Sequence, residues 1–278
     1  MNPNNDYCRA VSEVGECWLE RLIQPSYWID SLYYKSSSGK RFAQKLMQLH
    51  EFTRKVIRDR KNQILGFTSN DDDTDSIKTL PLHSFSTEIE DGSKRKAFLD
   101  LLLDHHLNGG DLSEEGIREE VDTFMFEGHD TTSMALSWII FLLGHHPEIQ
   151  EKLWPEIDAL FEEIETTAKE DSTPLQIPLN KLKDLKYLDC VVKEGLRLFP
   201  SVPFIGRRIH EDMNIKAGEK EYTLPVGTIV YVFIYMLHRD PETYPNPEAF
   251  NPDRFLPENS TGRNPFAFVP FSAGKFLV

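Results

Sequence analysis

Cysteine is scarce: Cys8, Cys17 and Cys190 stand far apart in 278 residues, with no Cys-x-x-Cys pair. That spacing excludes a disulfide framework and a zinc knuckle, and it suits a reducing, cytosol-facing environment. Basic residues are also short, 31 Lys and Arg against 45 Asp and Glu, which leaves a net charge of -14. Such a surface repels a phosphate backbone, so nucleic acid is excluded as a partner and a small molecule is favoured. Long apolar runs are missing. No stretch reaches the roughly 18 residues of a membrane span, and Met1–Asp6 lacks the apolar region of a leader, so no anchor is expected within this chain. The longest run, Ala135–Leu143, is interrupted by Ser137 and reads as a buried helix. There is no internal repeat and no glycine-rich nucleotide loop. What remains, 40% hydrophobic residues, suffices for one sizeable core.

Helices are expected over Arg9–Leu22, Lys40–Lys61 and Lys94–Leu107, with a solvated polar loop at Thr68–Asp91. A long helix follows, opened by Asp111 and Glu114 as a capping box and running to about Leu143. Its apolar stripe, Ile117, Val121, Phe124, Gly128, Thr131, Ala135, Ile139 and Leu142, is spaced to face one core. Gly144 should stop it, and Pro147 should open the next helix, to Glu163. Beyond a second polar linker, 165–180, a helix over Leu182–Leu198 ends against Pro200 with the stripe Leu185, Leu188, Val192 and Leu196. Short β runs are expected at Pro203–Ile209 and Thr228–Tyr235, with turns at Ala217-Gly218 and Pro225-Val226-Gly227. From His238 onward, Pro and Asn favour a packed meander. The class is mainly α with a small β portion.

The middle of the long helix, Phe126 to Thr132, breaks local rules. A mid-helix glycine costs about 1 kcal/mol relative to alanine, and Thr and Asp are poor interior choices. Such lapses occur where function requires them. Thr131 lies one turn after Glu127, and Asp130 adjoins it, so an acid stands next to an alcohol; a kinked core helix with side-chain back-bonding is the equal alternative. Glu194 and Arg197 sit at i and i+3, and Arg254 in the meander offers a second guanidinium to make a buried triad.

Four segments, in order, resemble the haem-thiolate monooxygenases of the cytochrome P-450 superfamily. Gly128-His129-Asp130-Thr131-Thr132 is similar to the oxygen-activating part of that family's I helix. Glu194-Gly195-Leu196-Arg197 resembles its ExxR, Asn251-Pro252-Asp253-Arg254-Phe255 its PERF-type segment, and Phe271-Ser272-Ala273-Gly274 the start of its haem loop. Each alone is weak, and the ordered set is specific. Glu127 before Gly128, together with Arg197–Pro203 and His238–Asn259, resembles the family-four fatty-acid ω-hydroxylase branch. The likeness covers nearly the whole chain, from about the F helix to the haem loop, and implies a partial P-450 fold with residues 1–278 as a single partial domain.

The resemblance implies a monooxygenase that inserts one oxygen atom of O2 into a lipid-like or other apolar substrate. It implies haem as cofactor, electrons from NADPH through cytochrome P-450 reductase, and the cytosolic face of the endoplasmic reticulum membrane, reached through an N-terminal anchor outside this chain. Asp130 and Thr131 are then the proton-delivering pair. Gly128 leaves room beside the helix, Glu127 can be esterified to a haem methyl, and Arg207 can pair with a propionate or remain an ordinary strand arginine. Phe271 and Gly274 shape the haem loop; Glu194, Arg197 and Arg254 are structural. His238 is read as a packed turn residue, with a haem-side donor as the alternative. In the family pattern the ligand Cys falls seven residues after the loop Phe, and here that place is Val278. Valine has no lone pair for iron, so the metal ligand is lacking and this polypeptide is expected to be inactive alone. Gly274-Lys275 can be encoded across a splice donor, which would make Lys275–Val278 intron-derived.

Two readings of other classes stand beside this one. The chain can be a non-catalytic helical binding or regulatory protein derived from such an enzyme. His105-His106 and His145-His146 invite a metal site, although adjacent helical positions point about 100° apart and supply no complete ligand set.

Overall fold

The computed structural model describes residues 3–66, 96–167, 177 and 179–274. The polar loop expected at Thr68–Asp91, most of the 165–180 linker and Val278 lie outside the described residues. Helices dominate, with two short antiparallel sheets of two strands each, so the mainly α class with a small β portion is the one adopted. The chain divides into two compact units, residues 1–130 and 131–278.

In the first unit, α1 (Pro3–Ile23) packs along α3 (Ser37–Ile64), with a 3-10 turn at Pro25–Trp28 and the short α2 (Asp30–Tyr33) between them in sequence. Ala10, Val11 and Leu49 form the seam. Ser36 caps α3, its side chain accepting the Gly39 N–H at 3.0 Å. A second cluster joins Ile57 to Leu103 of α4 (Phe98–Leu107) and to Ile117 and Val121 of α5 (Glu114–His145). Arg60 fastens α3 to α4 with a two-pronged bond to Asp100 at 2.6 and 2.7 Å, which holds that carboxyl below the usual range. The capping box expected from Asp111 does not form. Asp111 turns to His105 at 3.1 Å, and Ser113 caps instead, accepting the Gly116 N–H at 3.0 Å.

The second unit packs the end of α5 and α6 (Pro147–Thr167) against α8 (Lys186–Leu198), through Ile139, Leu142, Ile149, Val191, Leu198 and Phe250. α5 continues past Gly144 to His145. The single helix expected over Leu182–Leu198 is split into α7 (Leu179–Leu182) and α8. Its cause is a cap from another helix: the Glu156 carboxylate accepts the N–H groups of Tyr187 and Leu188, each at 2.9 Å, and starts α8 anew. β1 (Ile205–Arg208) pairs with β4 (Ile229–Val232), Ile205 opposite Val232. β2 (Met213–Ala217) and β3 (Lys220–Leu224) form a hairpin over the expected Ala217-Gly218 turn, where Gly218 has φ +62°. The second β run stops at Val232 because Ile234–Leu237 coils into α9 with Ile234 buried. The meander holds 3-10 turns at Pro252–Phe255 and Pro265–Ala267, with α10 (Pro257–Ser260) between.

The stripe on α5 is not continuously buried. Ile117 and Val121 belong to the core of the first unit, Ile139 and Leu142 to that of the second, while Phe124 is 57% exposed and Gly128 is exposed. Each half of the helix packs into the core of its own unit.

Candidate functional site

The turn that broke local rules lies in this exposed stretch. Glu127, Gly128 and His129 are exposed, Asp130 and Thr131 half-buried. A Cβ built on Gly128 would meet nothing within 4 Å, so glycine there leaves space beside the helix without being forced by a neighbour. In the second unit, Ser201 Oγ donates to the Thr131 carbonyl at 2.8 Å and ties that turn to the end of α8. Ser201 carried no assigned role in the sequence; its only signal was its place directly after Pro200, where the helix has stopped and the chain folds back.

α5 packs tightly on α8 at Gly195, where an added Cβ would sit 2.5 Å from Ile139 Cγ1. One turn away, Trp138 stacks on Phe199 at 4.2 Å. Gly195→Ala is therefore expected to destabilise the chain by about 1–3 kcal/mol through overpacking. An unchanged urea midpoint would rule out the close approach.

The Glu194, Arg197 and Arg254 side chains are brought together. Glu194 and Arg197 are both 0% exposed. Arg197 Nε and Nη2 donate to the two Glu194 oxygens at 2.7 and 2.8 Å, and Nη1 and Nη2 also donate to the carbonyls of His238, Pro247 and Ala249 at 2.9, 2.7 and 3.1 Å. Glu194 Oε1 accepts the Asn251 N–H at 2.9 Å. Arg254 Nε lies 3.4 Å from the same oxygen, an ion pair without the angle of a hydrogen bond, while its Nη2 donates to Asn246 O at 2.8 Å. Burial pulls the Arg254 guanidinium below its ordinary range against the opposing pull of Glu194. Tyr244, fully buried, lies 5.1 Å below both Arg197 and Arg263 and donates its hydroxyl to Ala267 O at 3.1 Å. Tyr244 and Arg263 had no role in the sequence reading, since no local period links them to α8.

His238 belongs to the same packing. Its ring is 0% exposed, and Nε2 accepts the Val269 N–H at 2.9 Å, so the residue packs inside the meander. Burial pushes its pKa down to about 4, with the Arg197 and Arg239 cations adding to the shift and the backbone of Leu196 and Arg197 opposing it. Nδ1 lacks a hydrogen bond of ordinary geometry, so the opposing backbone contacts are weak ones.

Two residues of the haem-loop pattern sit at the far end of this unit. Phe271 is 82% exposed, and Gly274 has φ +118°, a conformation that favours glycine; Ser272 between them is also left-handed at φ +67°. Arg207, exposed on β1, donates from Nη2 to Ser272 Oγ at 3.2 Å, so a cation stands over the loop. The four paired histidines make local bonds: His105 with Asp111, and the Nδ1 atoms of His106, His145 and His146 with the carbonyls of Leu112, Phe141 and Leu142. Among the described residues, no group of three His, Cys, Asp or Glu is placed to hold a metal.

A buried ExxR ion pair pins the meander to α8 in the second unit, beside the small β portion. The family model described as Cytochrome P450 matches residues 2–275, and the chain belongs to that family. It is 43% identical over 274 residues to Cytochrome P450 4V2 of Rattus norvegicus, 43% over 277 to Cytochrome P450 4c3 of Drosophila melanogaster, and 37% over 274 to Cytochrome P450 4F6 of Rattus norvegicus. Each alignment takes in 98% of this chain and 46–48% of the relative, so the chain spans about half the length of the relatives it matches.

The family implies haem, and the chemistry of the described residues fits the porphyrin's edge. In the second unit, the Arg207 cation over the loop suits a carboxylate. The described residues do not supply a thiolate for it: Cys17 and Cys190 are buried, burial pushes the Cys190 thiol up, and Cys8 lies on α1 beside His129.

Proposed function

We propose that the chain is part of a haem-dependent monooxygenase domain, from about the F helix to the start of the haem loop, that inserts one oxygen atom of O2 into an apolar, lipid-like substrate. The observation that carries this reading is Arg207 held over the left-handed Ser272–Gly274 loop, an exposed cation at the start of a segment of haem-loop pattern. Haem, when bound, supplies the activation of dioxygen. The residues do the rest: Arg207 would hold a propionate, Gly128 would leave room beside α5, and Glu127 would offer the carboxylate for a covalent link to the group. Asp130 and the Thr131 hydroxyl hold a proton and pass it on. The Glu194–Arg197–Arg254 cluster fixes the meander, and Phe271 and Gly274 shape the loop. Electrons come from NADPH through cytochrome P-450 reductase.

The site of action is the cytosolic face of the endoplasmic reticulum membrane. Among the described residues, no helix is long and apolar enough to cross a membrane. Trp18, Leu22, Ile23, Trp28, Ile29 and Leu32 of the first unit are exposed and support contact with a lipid surface. The resemblance of Glu127-Gly128 to the family-four ω-hydroxylase branch favours a fatty-acid-like substrate attacked near its ω end.

Haem titration of the purified chain tests this. A saturable Soret band is expected, weakened in Arg207→Ala, with no thiolate-type band on reduction under CO, because Val278 stands where the pattern places the ligand. A thiolate-type band would refute the inactivity of this polypeptide. Absence of any saturable band would leave the helical binding-protein reading in its place.

A further inference from the structure

We propose that Cys8 and His129 form a modification site for soft electrophiles, with α,β-unsaturated aldehydes as the chemical class. Both residues belong to the first unit, and Cys8 Sγ lies 3.3 Å from His129 Nε2. Neighbouring aromatics orient the imidazole: Tyr7 stands edge-on to it at 6.4 Å and packs against Phe52 at 4.8 Å. Cys8 is half-buried and His129 exposed, so a small electrophile reaches the sulfur. The other two thiols lack one or both of these properties. Cys17 is 0% exposed, with Arg41 Nε against its sulfur at 3.2 Å, and Cys190 is buried in α8 with its pKa raised by that burial.

A thiol attacks as the thiolate, and an imidazole at hydrogen-bond distance serves as its base. The Cys8 proton passes to His129 Nε2 while Sγ bonds to the β-carbon of the aldehyde. The electron pair of the C=C bond moves to the α-carbon, which then takes a proton from the imidazolium. No group leaves, and nothing is oxidised or reduced. This site is independent of haem.

The test treats the full chain with acrolein and follows each cysteine by peptide mass spectrometry. Cys8 is expected to react about tenfold or more faster than Cys17 and Cys190, and His129→Gln to slow it by about tenfold. Cys8 reacting no faster than the other two, or reacting equally fast in His129→Gln, would overturn the proposal.

Discussion

Arg197→Ala is expected to abolish stable folding of the second unit. The substitution removes five hydrogen bonds at once, two to Glu194 and three to the carbonyls of His238, Pro247 and Ala249. It also strands a carboxylate that is 0% exposed. Breaking one side of a buried ion pair costs about 3–5 kcal/mol, a large part of the roughly 5–15 kcal/mol that holds a domain together. Arg197→Lys should recover little, because an ammonium cannot reach a bidentate carboxylate and three carbonyls together. Urea unfolding followed by far-ultraviolet circular dichroism reads the effect. A midpoint unchanged in Arg197→Ala would show that the cluster does not hold the meander to α8.

The same cluster marks how far the sequence could be read. Helix and strand positions were legible wherever the cause was local. Ile117 and Val121, Ile139 and Leu142 recur at helical spacing and are buried, and Ala217-Gly218 turns where Gly218 takes a positive φ. The errors lie where the cause is distant. The break before α8 comes from Glu156, 31 residues away from Tyr187 in sequence. Asp111 looked like a cap, yet His105 six residues earlier competes for it and leaves the role to Ser113. On α8, periodicity singled out Leu185, Leu188, Val192 and Leu196 as the buried stripe, and the expected Glu194–Arg197 pair is buried too, deeper than Leu185 or Leu196. Hydropathy alone misplaces charges that satisfy one another. The candidate site divides in the same way: motif residues were visible by type and order, whereas Ser201, Tyr244 and Arg263 act through contacts that no spacing encodes.

Acid should weaken the fold through His238. Its pKa in the folded chain is pushed down to about 4, below the ordinary value near 6.5. Above about pH 6.5 the ring is neutral in both states, and it adds no pH dependence. As pH falls from there toward 4, the unfolded chain takes up a proton that the folded chain refuses, so stability drops, by about 3 kcal/mol in all. Below about 4 the ring charges in the fold as well and the slope vanishes. His238→Gln keeps an acceptor for the Val269 N–H but cannot titrate, so its stability should fall less steeply between pH 7 and 4. Carboxylates such as Asp100, held low by Arg60, lose stabilisation in the same direction, but they do so equally in both proteins and cancel in the difference. Urea midpoints measured across that range for the two proteins should converge as pH falls. If they run parallel instead, the imidazole is not kept neutral by its burial beneath the meander.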